Sequence, residues 1–227
     1  MIARKSTTYN SEHLVNAHSH RVQSSRNTVY QSAIERTEPE GRLHSLGIHP
    51  MLKIAETAGF LAEMDSKLAN QDCIAIGESG LDKNSCFSTV DQLTLFRAQM
   101  ELSVKHQLPV IVHCVGRWNE LERLFKEKTK ASPEWIIHGF RKAKLAQNFL
   151  DLGANLSFGK ALLYDKHLHK LLPTVPIERI FLETDDEEVE INELYAKLAE
   201  LKSLPLQTVT ERIYANFRRV FYRSAEL

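Results

Sequence analysis

Two histidines with the spacing of metal ligands stand near the N-terminus. His18 and His20 are separated by one residue and follow the apolar pair Leu14-Val15. Side chains two residues apart in a β-strand lie on the same face, so both imidazoles would converge at one strand end. In a chain with 10 histidines, such a pair is more often a surface or structural feature than a metal site. A metal site is indicated only if further ligands arrive at the ends of later strands.

Four further metal-competent side chains follow predicted strands. They are Glu78 after Cys73–Ile76, His113 after Val110–Val112, His138 after Glu134–Ile137, and Asp185 after Ile180–Leu182. The run Val110–Val112 is continuously apolar, as is typical of a parallel strand that is covered on both faces. The candidate ligands therefore lie at or just past the ends of separate strands.

The elements that must position these side chains alternate between strand and helix patterns. Up to eight β segments can be counted, which predicts an α/β fold, a TIM (β/α) barrel with an abbreviated first crossover. A doubly wound open sheet is the alternative. The strand at Cys73–Ile76 is expected to end where the chain leaves the sheet, at Gly77–Asp82. We expect one domain over residues 1–227, because α/β barrels of this length remain single domains.

Helices are predicted from the apolar spacing between the strands. The predicted helices include 54–69, 89–107, 118–128, 142–152, 162–172, 191–202 and 206–222. Between His20 and Arg42 the sequence is polar with a single β-prone run, and no full helix fits there. The first crossover is therefore expected to be short.

Imidazole and carboxylate ligands together favour zinc, manganese or a similar ion, and several carboxylates also admit magnesium. The six candidate ligands are His18, His20, Glu78, His113, His138 and Asp185. Six ligands exceed the needs of one tetrahedral ion, so two ions about 4 Å apart, bridged by Glu78 and water, are the expected arrangement. Such a centre activates water for hydrolysis. Asp185 and Glu78 are the predicted catalytic residues, with Asp185 ligating metal and accepting the water proton.

Composition limits the partners that the protein can recognise. The 29 basic and 29 acidic residues give zero net charge, so a nucleic-acid site must be local. Lys83, Arg117 and Arg141 follow predicted strand ends and are the candidate substrate-binding residues, although a solvated charged face is an equal alternative for each. Trp118 and Phe140 could stack on bases, although aromatics at these positions more often pack the barrel mouth.

The cysteines and the apolar segments bear on cellular location. Three scattered cysteines without a C-x-x-C spacing argue against a disulfide framework and favour a reducing cytoplasm. The first nine residues have no apolar signal-peptide core, and no run of about 18 apolar residues occurs. We expect a cytoplasmic protein with no membrane association and no obligate protein partner.

The combined motifs resemble the TatD family of metal-dependent DNases. The segments that carry the resemblance are His18-Ser19-His20, Gly47-Ile48-His49-Pro50, Gly77-Glu78-Ser79-Gly80-Leu81-Asp82, His113, His138-Gly139-Phe140, Leu182-Glu183-Thr184-Asp185 and Asn216–Phe221. The resemblance implies an amidohydrolase-type TIM barrel, dependence on divalent metal ions and hydrolysis of phosphodiester bonds, with DNA as the substrate. It also implies metal-binding roles for the six candidate ligands.

The chain departs from the family pattern at several positions. Asn16 stands where the family usually has an aspartate, and Asp186-Glu187 replaces a small residue and a proline. The added negative charge should disfavour a polyanion at that part of the rim. The family's arginine two positions after the His113 equivalent is absent, and Arg117 is the nearest substitute. The segment between His20 and Gly47 is also shorter than usual.

Two alternatives to a nuclease follow from the same residues. The first is hydrolysis of a small ester, amide or aminoacyl-nucleic-acid bond, because one barrel with one metal centre hosts many substrates. This alternative is favoured if the candidate substrate-binding cations Lys83, Arg117 and Arg141 do not converge on the metal pocket. The second is a catalytically silent binding protein that retains the barrel, which divalent-metal binding would exclude.

The remaining polar residues have less specific patterns. His49 either lines the pocket or stabilises a turn, so it is left outside the ligand set. Glu183 is expected to orient a ligand rather than to bind metal. Cys114 is expected to pack in the core. The other five histidines are expected on the surface or in loops: His13, His44, His106, His167 and His169.

Overall fold

The computed structural model describes residues 11–21, 27–32, 41–52, 57–129 and 132–222. Eight strands form its sheet. They are β1 Val15–Ser19, β2 Asn27–Ser32, β3 His44–Leu46, β4 Cys73–Asp82, β5 Val110–Val115, β6 Trp135–Ile137, β7 Asn155–Phe158 and β8 Ile180–Leu182. Each strand pairs in parallel with the next in chain order, from β1 through to β8.

The sheet closes on itself between β8 and β1. A parallel bridge joins Ser19 to Asp185. His20 N–H donates to the Asp185 carbonyl at 3.1 Å, and Asp185 N–H donates to the His18 carbonyl at 3.1 Å. This closure confirms the TIM barrel and excludes the open doubly wound sheet. No helix occurs between β1 and β3 in the described residues, although 22–26 and 33–40 lie outside them.

Seven α-helices cover the described barrel. They are α1 Thr57–Lys67, α2 Thr89–His106, α3 Trp118–Glu127, α4 Ala146–Asp151, α5 Lys166–Leu171, α6 Ile191–Lys202 and α7 Leu206–Phe221. The bounds of most predicted helices agree with the observed bounds within a few residues. The start of the predicted helix 54–69 lies partly outside the described residues. The helix predicted at 162–172 is wrong at its start. A 3-10 turn spans Lys160–Leu163, and Asp165 then caps α5 by accepting the His167 N–H at 2.8 Å.

Strand β4 is longer than the sequence predicts. The expected end of the strand at Gly77 is wrong, because β4 continues through Glu78 to Asp82 with a register shift against β5 between Ile76 and Ser79. The two glycines permit this path because β4 lies very close to β5. A Cβ on Gly80 would lie 1.9 Å from the His113 carbonyl oxygen, and one on Gly77 would lie 2.7 Å from Ile111 Cβ. Glu78 is consequently held inside the sheet.

The core is packed between the strands and the outer helices. An aromatic cluster joins α3 and α4 to β6 and the segment that follows it, with edge-to-face contacts of Trp135 with Phe125 at 4.6 Å and of Trp118 with Phe140 at 5.9 Å. These contacts place Trp118 and Phe140 in packing positions. Within the described residues, no helix is both long enough and apolar enough to span a bilayer.

Candidate metal centre

All six predicted ligands meet at the carboxyl end of the barrel. His18 lies in β1, Glu78 in β4 and His113 in β5, whereas His20, His138 and Asp185 follow β1, β6 and β8. The carboxyl ends of parallel strands share one rim in a barrel, which is why residues distant in the chain become neighbours there.

Glu78 lies between two groups of nitrogen donors. Its Oε2 atom is 3.4 Å from His18 Nε2 and 3.3 Å from His20 Nε2. Asp185 Oδ1 closes this group, at 3.5 Å from His18 Nε2 and 3.3 Å from His20 Nε2. We call these four side chains the Oε2 group.

The other carboxylate oxygen of Glu78 faces a second group of donors. Its Oε1 atom is 2.8 Å from His113 Nδ1 and 2.6 Å from His138 Nε2. His49 Nε2 is 3.6 Å from the same oxygen. We call Glu78 with these three histidines the Oε1 group. A carboxylate that presents one oxygen to each group can bridge two ions.

The spacing in the Oε2 group fits a metal ion. Two tetrahedral ligands, each about 2.1 Å from one ion, are about 3.4 Å from each other. The four contacts of this group are 3.3–3.5 Å, longer than ordinary hydrogen bonds. Both ring nitrogens of His18 are buried without a hydrogen-bond partner. A divalent cation bound here would occupy the lone pair of His18 Nε2. The spacing and the donor types of the Oε2 group therefore fit a divalent metal ion.

The electrostatics of the centre favour positive charge. Burial acts to lower the pKa of His18, but the carboxylates of Asp185 and Glu78 outweigh burial and raise this pKa to about 9. Burial likewise opposes the rise in the pKa of His138, which Glu78 and Glu183 hold well above its usual value. Burial acts to raise the pKa of Glu78, yet the surrounding histidines keep it well below its usual range. Without a metal ion, the histidines of the centre therefore hold protons that a bound cation would displace.

The backbone fixes Asp185 in an uncommon conformation. Its φ of 53° lies in the left-handed region, which aspartate tolerates better than most residues. The hydrogen bonds with β1 hold the residue there. Behind it, Asn16 Nδ2 donates to Thr184 Oγ1 at 2.8 Å and Thr184 N–H donates to Asn16 Oδ1 at 3.1 Å. Asn16 therefore braces the segment after β8 that carries Asp185.

A cavity of about 620 Å³ opens onto the centre. It is lined by His20, Gln31, Gly47, His49, Met51, Leu52, Glu78, His113, His138, Asp185 and Asp186. No lysine or arginine of the described residues is among these. Its volume is within the range of about 300–1,000 Å³ that is usual for small-ligand sites.

The three predicted substrate-binding cations lie outside this lining. Lys83 is exposed directly after β4, and a Cβ on Gly116 would touch its side chain. Arg117 Nη1 lies 3.6 Å from Glu120 Oε1, and Arg141 Nη2 lies 3.9 Å from an Asp165 carboxylate oxygen. The structure therefore brings the six candidate ligands together but does not bring these cations to the cavity.

Sequence reasoning left two nearby residues out of the centre. His49, Glu78 and His113 offer ligand atoms within 4.8 Å of one another, which makes His49 a candidate ligand. The Gly47-Ile48-His49-Pro50 segment at a strand end was the available signal. Asp82 is buried beside His113, with Oδ2 2.9 Å from His113 Nε2. The only feature of the sequence that pointed to Asp82 was its position in the segment Gly77–Asp82, which also contains Glu78.

Two secondary expectations concern buried polar groups. Glu183 lies behind His138, with its Oε1 atom 3.6 Å from His138 Nδ1, and it accepts hydrogen bonds from Gly139 N–H and Ser157 Oγ–H. The expectation that His44 is a surface or loop residue is wrong. His44 is buried in β3, where its Nδ1 atom lies 3.0 Å from the Arg42 carbonyl oxygen.

Cys114 is buried, as expected for a residue that packs in the core. Burial raises the pKa of its thiol to about 12. The thiol is therefore protonated near neutral pH and does not compete with His113 as a reactive group.

The fold and the centre define a class, the metal-dependent hydrolases built on a TIM barrel. The chain belongs to the TatD related DNase family, whose family model matches residues 9–222. The chain is 26% identical over 194 residues to YabD of Bacillus subtilis (strain 168), named an uncharacterized metal-dependent hydrolase, and covers 76% of that protein.

Other relatives extend the comparison. The chain is 33% identical over 145 residues to the 3'-5' ssDNA/RNA exonuclease TatD of Klebsiella pneumoniae (strain 342), with 61% of this chain matched. It spans about half the length of that exonuclease, 55%. Among solved structures, YjjV, a TatD homolog from Escherichia coli K12, superposes with a TM-score of 0.77 at 18% identity. That match covers 94% of this chain and 100% of YjjV, and it shows a shared fold.

Proposed function

We propose that this protein is a divalent-metal-dependent deoxyribonuclease that hydrolyses phosphodiester bonds from an end of DNA. The observation that carries the proposal is the division of donors around Glu78, one group on each carboxylate oxygen. The relative named as a ssDNA/RNA exonuclease supports the substrate class.

The proposed centre holds two ions, of zinc, manganese or magnesium. Glu78 would offer one carboxylate oxygen to each ion, the Oε2 group would hold one ion, and the Oε1 group would hold the other. When bound, such ions polarise the scissile phosphate and lower the pKa of water. Asp185 is proposed to accept the proton of the attacking water, because its carboxylate lies beside the open cavity, with 32% of the side chain exposed. We propose that three cations outside the cavity contact phosphates of the DNA strand beyond the scissile bond. They are Lys83, Arg117 and Arg141.

We further propose a cytoplasmic location. Cys73, Cys86 and Cys114 are all free thiols, which suits a reducing compartment.

Substitution of the proposed ligands tests the nuclease. Asp185→Asn and His113→Ala should each lower the turnover of fluorescent single-stranded DNA by about two orders of magnitude or more, because each removes a ligand. The assay uses the full chain with a panel of Mn²⁺, Zn²⁺ and Mg²⁺, alongside double-stranded DNA. Circular dichroism checks that the variants fold.

Matched control variants distinguish the effect of substitutions at the centre from that of substitutions at exposed residues. Asp151→Asn changes an exposed carboxylate at the end of α4, and His167→Ala removes an exposed histidine of α5. Both controls should retain wild-type turnover. Wild-type activity in Asp185→Asn or His113→Ala would contradict the proposed centre.

One observation favours a second candidate, hydrolysis of a small ester, amide or aminoacyl bond. In the described part of the chain the cavity lining contains Asp186 but no lysine or arginine. A polyanionic substrate should gain from Asp186→Asn, because the substitution removes a like charge, and kcat/KM for DNA should rise. A fall in kcat/KM for an aminoacyl ester in the same variant, with no DNA cleavage by the wild type, would favour the second candidate.

A further inference from the structure

A buried carboxylate stands behind one of the histidines of the centre. Asp82 ends β4, is 6% exposed and does not line the cavity. Its Oδ2 atom lies 2.9 Å from His113 Nε2, and its Oδ1 atom accepts the Asn84 N–H at 2.7 Å. Gln92 of α2 holds the backbone of Asp82 from both sides, at 2.8 Å to its N–H and 3.1 Å to its carbonyl. The carboxylate is therefore fixed in place.

The two ring nitrogens of His113 face different partners. Nδ1 faces the centre, 2.8 Å from Glu78 Oε1 and 3.2 Å from His138 Nε2. Nε2 faces Asp82. An ionised carboxylate offers only acceptors, so Nε2 donates its proton to Asp82. Where a metal ion replaces the proton between Nδ1 and Glu78, a ring proton held on Nε2 leaves the Nδ1 lone pair free for that ion. That lone pair is what a metal ion requires.

We propose that Asp82 is a positioning residue, which fixes the tautomer and ring orientation of His113 and so strengthens metal binding by the Oε1 group. The inference rests on the proposed metal centre. Asp82 would act on the metal through His113 alone. Glu183 is less closely engaged with His138, at 3.6 Å from Nδ1. The expected effect of Asp82 is therefore centred on the ion that His113 binds.

Asp82→Asn tests this role with little change in shape. The Asn84 N–H needs an acceptor, so the new amide oxygen remains there and the new NH₂ group faces His113 Nε2. An NH₂ donor at Nε2 moves the ring proton to Nδ1, towards the ion. Calorimetric titration of the metal-free full-length protein with Mn²⁺ should then show one ion bound about 10- to 100-fold more weakly and the other unchanged. Asp151→Asn is the matched control and should bind as wild type.

A double-mutant cycle distinguishes positioning from a general structural effect. In a His113→Ala background, Asp82→Asn should change Mn²⁺ affinity less than twofold, since the residue through which it acts is absent. An equal loss in both backgrounds would show that Asp82 supports the fold, and would overturn the inference. If Asp82→Asn does not fold, Asp82→Ser is measured in the same cycle, because its hydroxyl can accept the Asn84 N–H.

The outcomes separate this inference from the proposed function. If the wild type binds no Mn²⁺, both fail. If it binds two ions and Asp82→Asn binds them equally well, the positioning role alone fails. If metal binding is weakened as expected but no DNA is cleaved, the positioning role stands and the substrate assignment fails. In an active enzyme, the variant should lose kcat at limiting Mn²⁺ and recover it at high Mn²⁺, with KM for DNA unchanged.

Discussion

Glu78 organises the centre because its two oxygens serve different groups. The side chain is almost fully buried, and a buried carboxylate is costly unless charge or hydrogen bonds compensate it. Here the compensation comes from histidines on both sides, which hold its pKa low although burial acts to raise it. This placement supports the proposal that Glu78 is shared between two metal ions.

Metal affinity should depend on pH through His18. Its pKa is raised to about 9 in the metal-free protein, from a usual value of 6.5. A raised histidine pKa stabilises the metal-free fold at low pH, and this stabilisation is lost as pH rises through about 9. Because metal requires the neutral ring, Mn²⁺ affinity should rise about tenfold per pH unit for each proton displaced, between about pH 7 and 9.

Calorimetry in buffers of different ionisation enthalpy measures the protons released on Mn²⁺ binding. His18→Asn is the comparison, and it should release about one proton fewer than the wild type at pH 7.5. Equal proton release by the two proteins, or an affinity independent of pH, would contradict the shifted pKa.

At the scale of elements, the closure between β8 and β1 holds both ends of the chain together at the centre. Tyr195 of α6 supports it from outside the sheet. Its hydroxyl accepts the Val15 N–H at 2.9 Å and donates to the Val15 carbonyl at 3.2 Å. Burial raises the pKa of Tyr195 above its usual value, so the hydroxyl remains protonated and can donate. The helix thereby satisfies both backbone groups of Val15.

Tyr195→Phe should destabilise the protein by about 1–3 kcal/mol, because it leaves two buried polar groups of Val15 without this partner. Urea unfolding at fixed metal concentration measures the change. Tyr164→Phe, at a side chain that is largely exposed, should change stability by less than about 0.5 kcal/mol. A wild-type unfolding curve for Tyr195→Phe would contradict the role of this hydroxyl.

For the whole molecule, the centre joins strands from the beginning, the middle and the end of the chain. β1, β4, β5, β6 and β8 all contribute donors at or near their ends. A metal ion bound there links the first and last strands to the middle of the chain, and the unfolded chain has no preformed site. Metal binding therefore favours the folded state.

Mn²⁺ at about 100 times its Kd should add about 2.7 kcal/mol to the free energy of unfolding. For a chain of this length, the gain corresponds to a rise in Tm of about 5–10 °C. Differential scanning calorimetry with Mn²⁺ and then with excess EDTA measures it. The rise should disappear with EDTA and be small in the double variant His113→Ala, Asp185→Asn. Identical melting with and without Mn²⁺ would exclude a stabilising centre.

Local patterns in the sequence were sufficient to predict the barrel and to identify the candidate ligands. Apolar runs predicted the strands, and the polar residues following those runs predicted a shared rim, because parallel strands place their carboxyl ends together. Helix α6 was predicted at its observed bounds because its apolar spacing is regular. These features depend on local patterns, which sequence records directly.

The residues that lie beside the candidate ligands depend on contacts between strands that are far apart in the sequence. Gly80 pairs with His113 and Asp82 with Val115, and this register between β4 and β5 brings Asp82 to the far nitrogen of His113. The same extension of β4 places Glu78 inside the sheet. The rim cations, by contrast, lie outside the cavity lining. Register and side-chain direction are set by neighbouring strands far apart in sequence, so no local pattern specifies them.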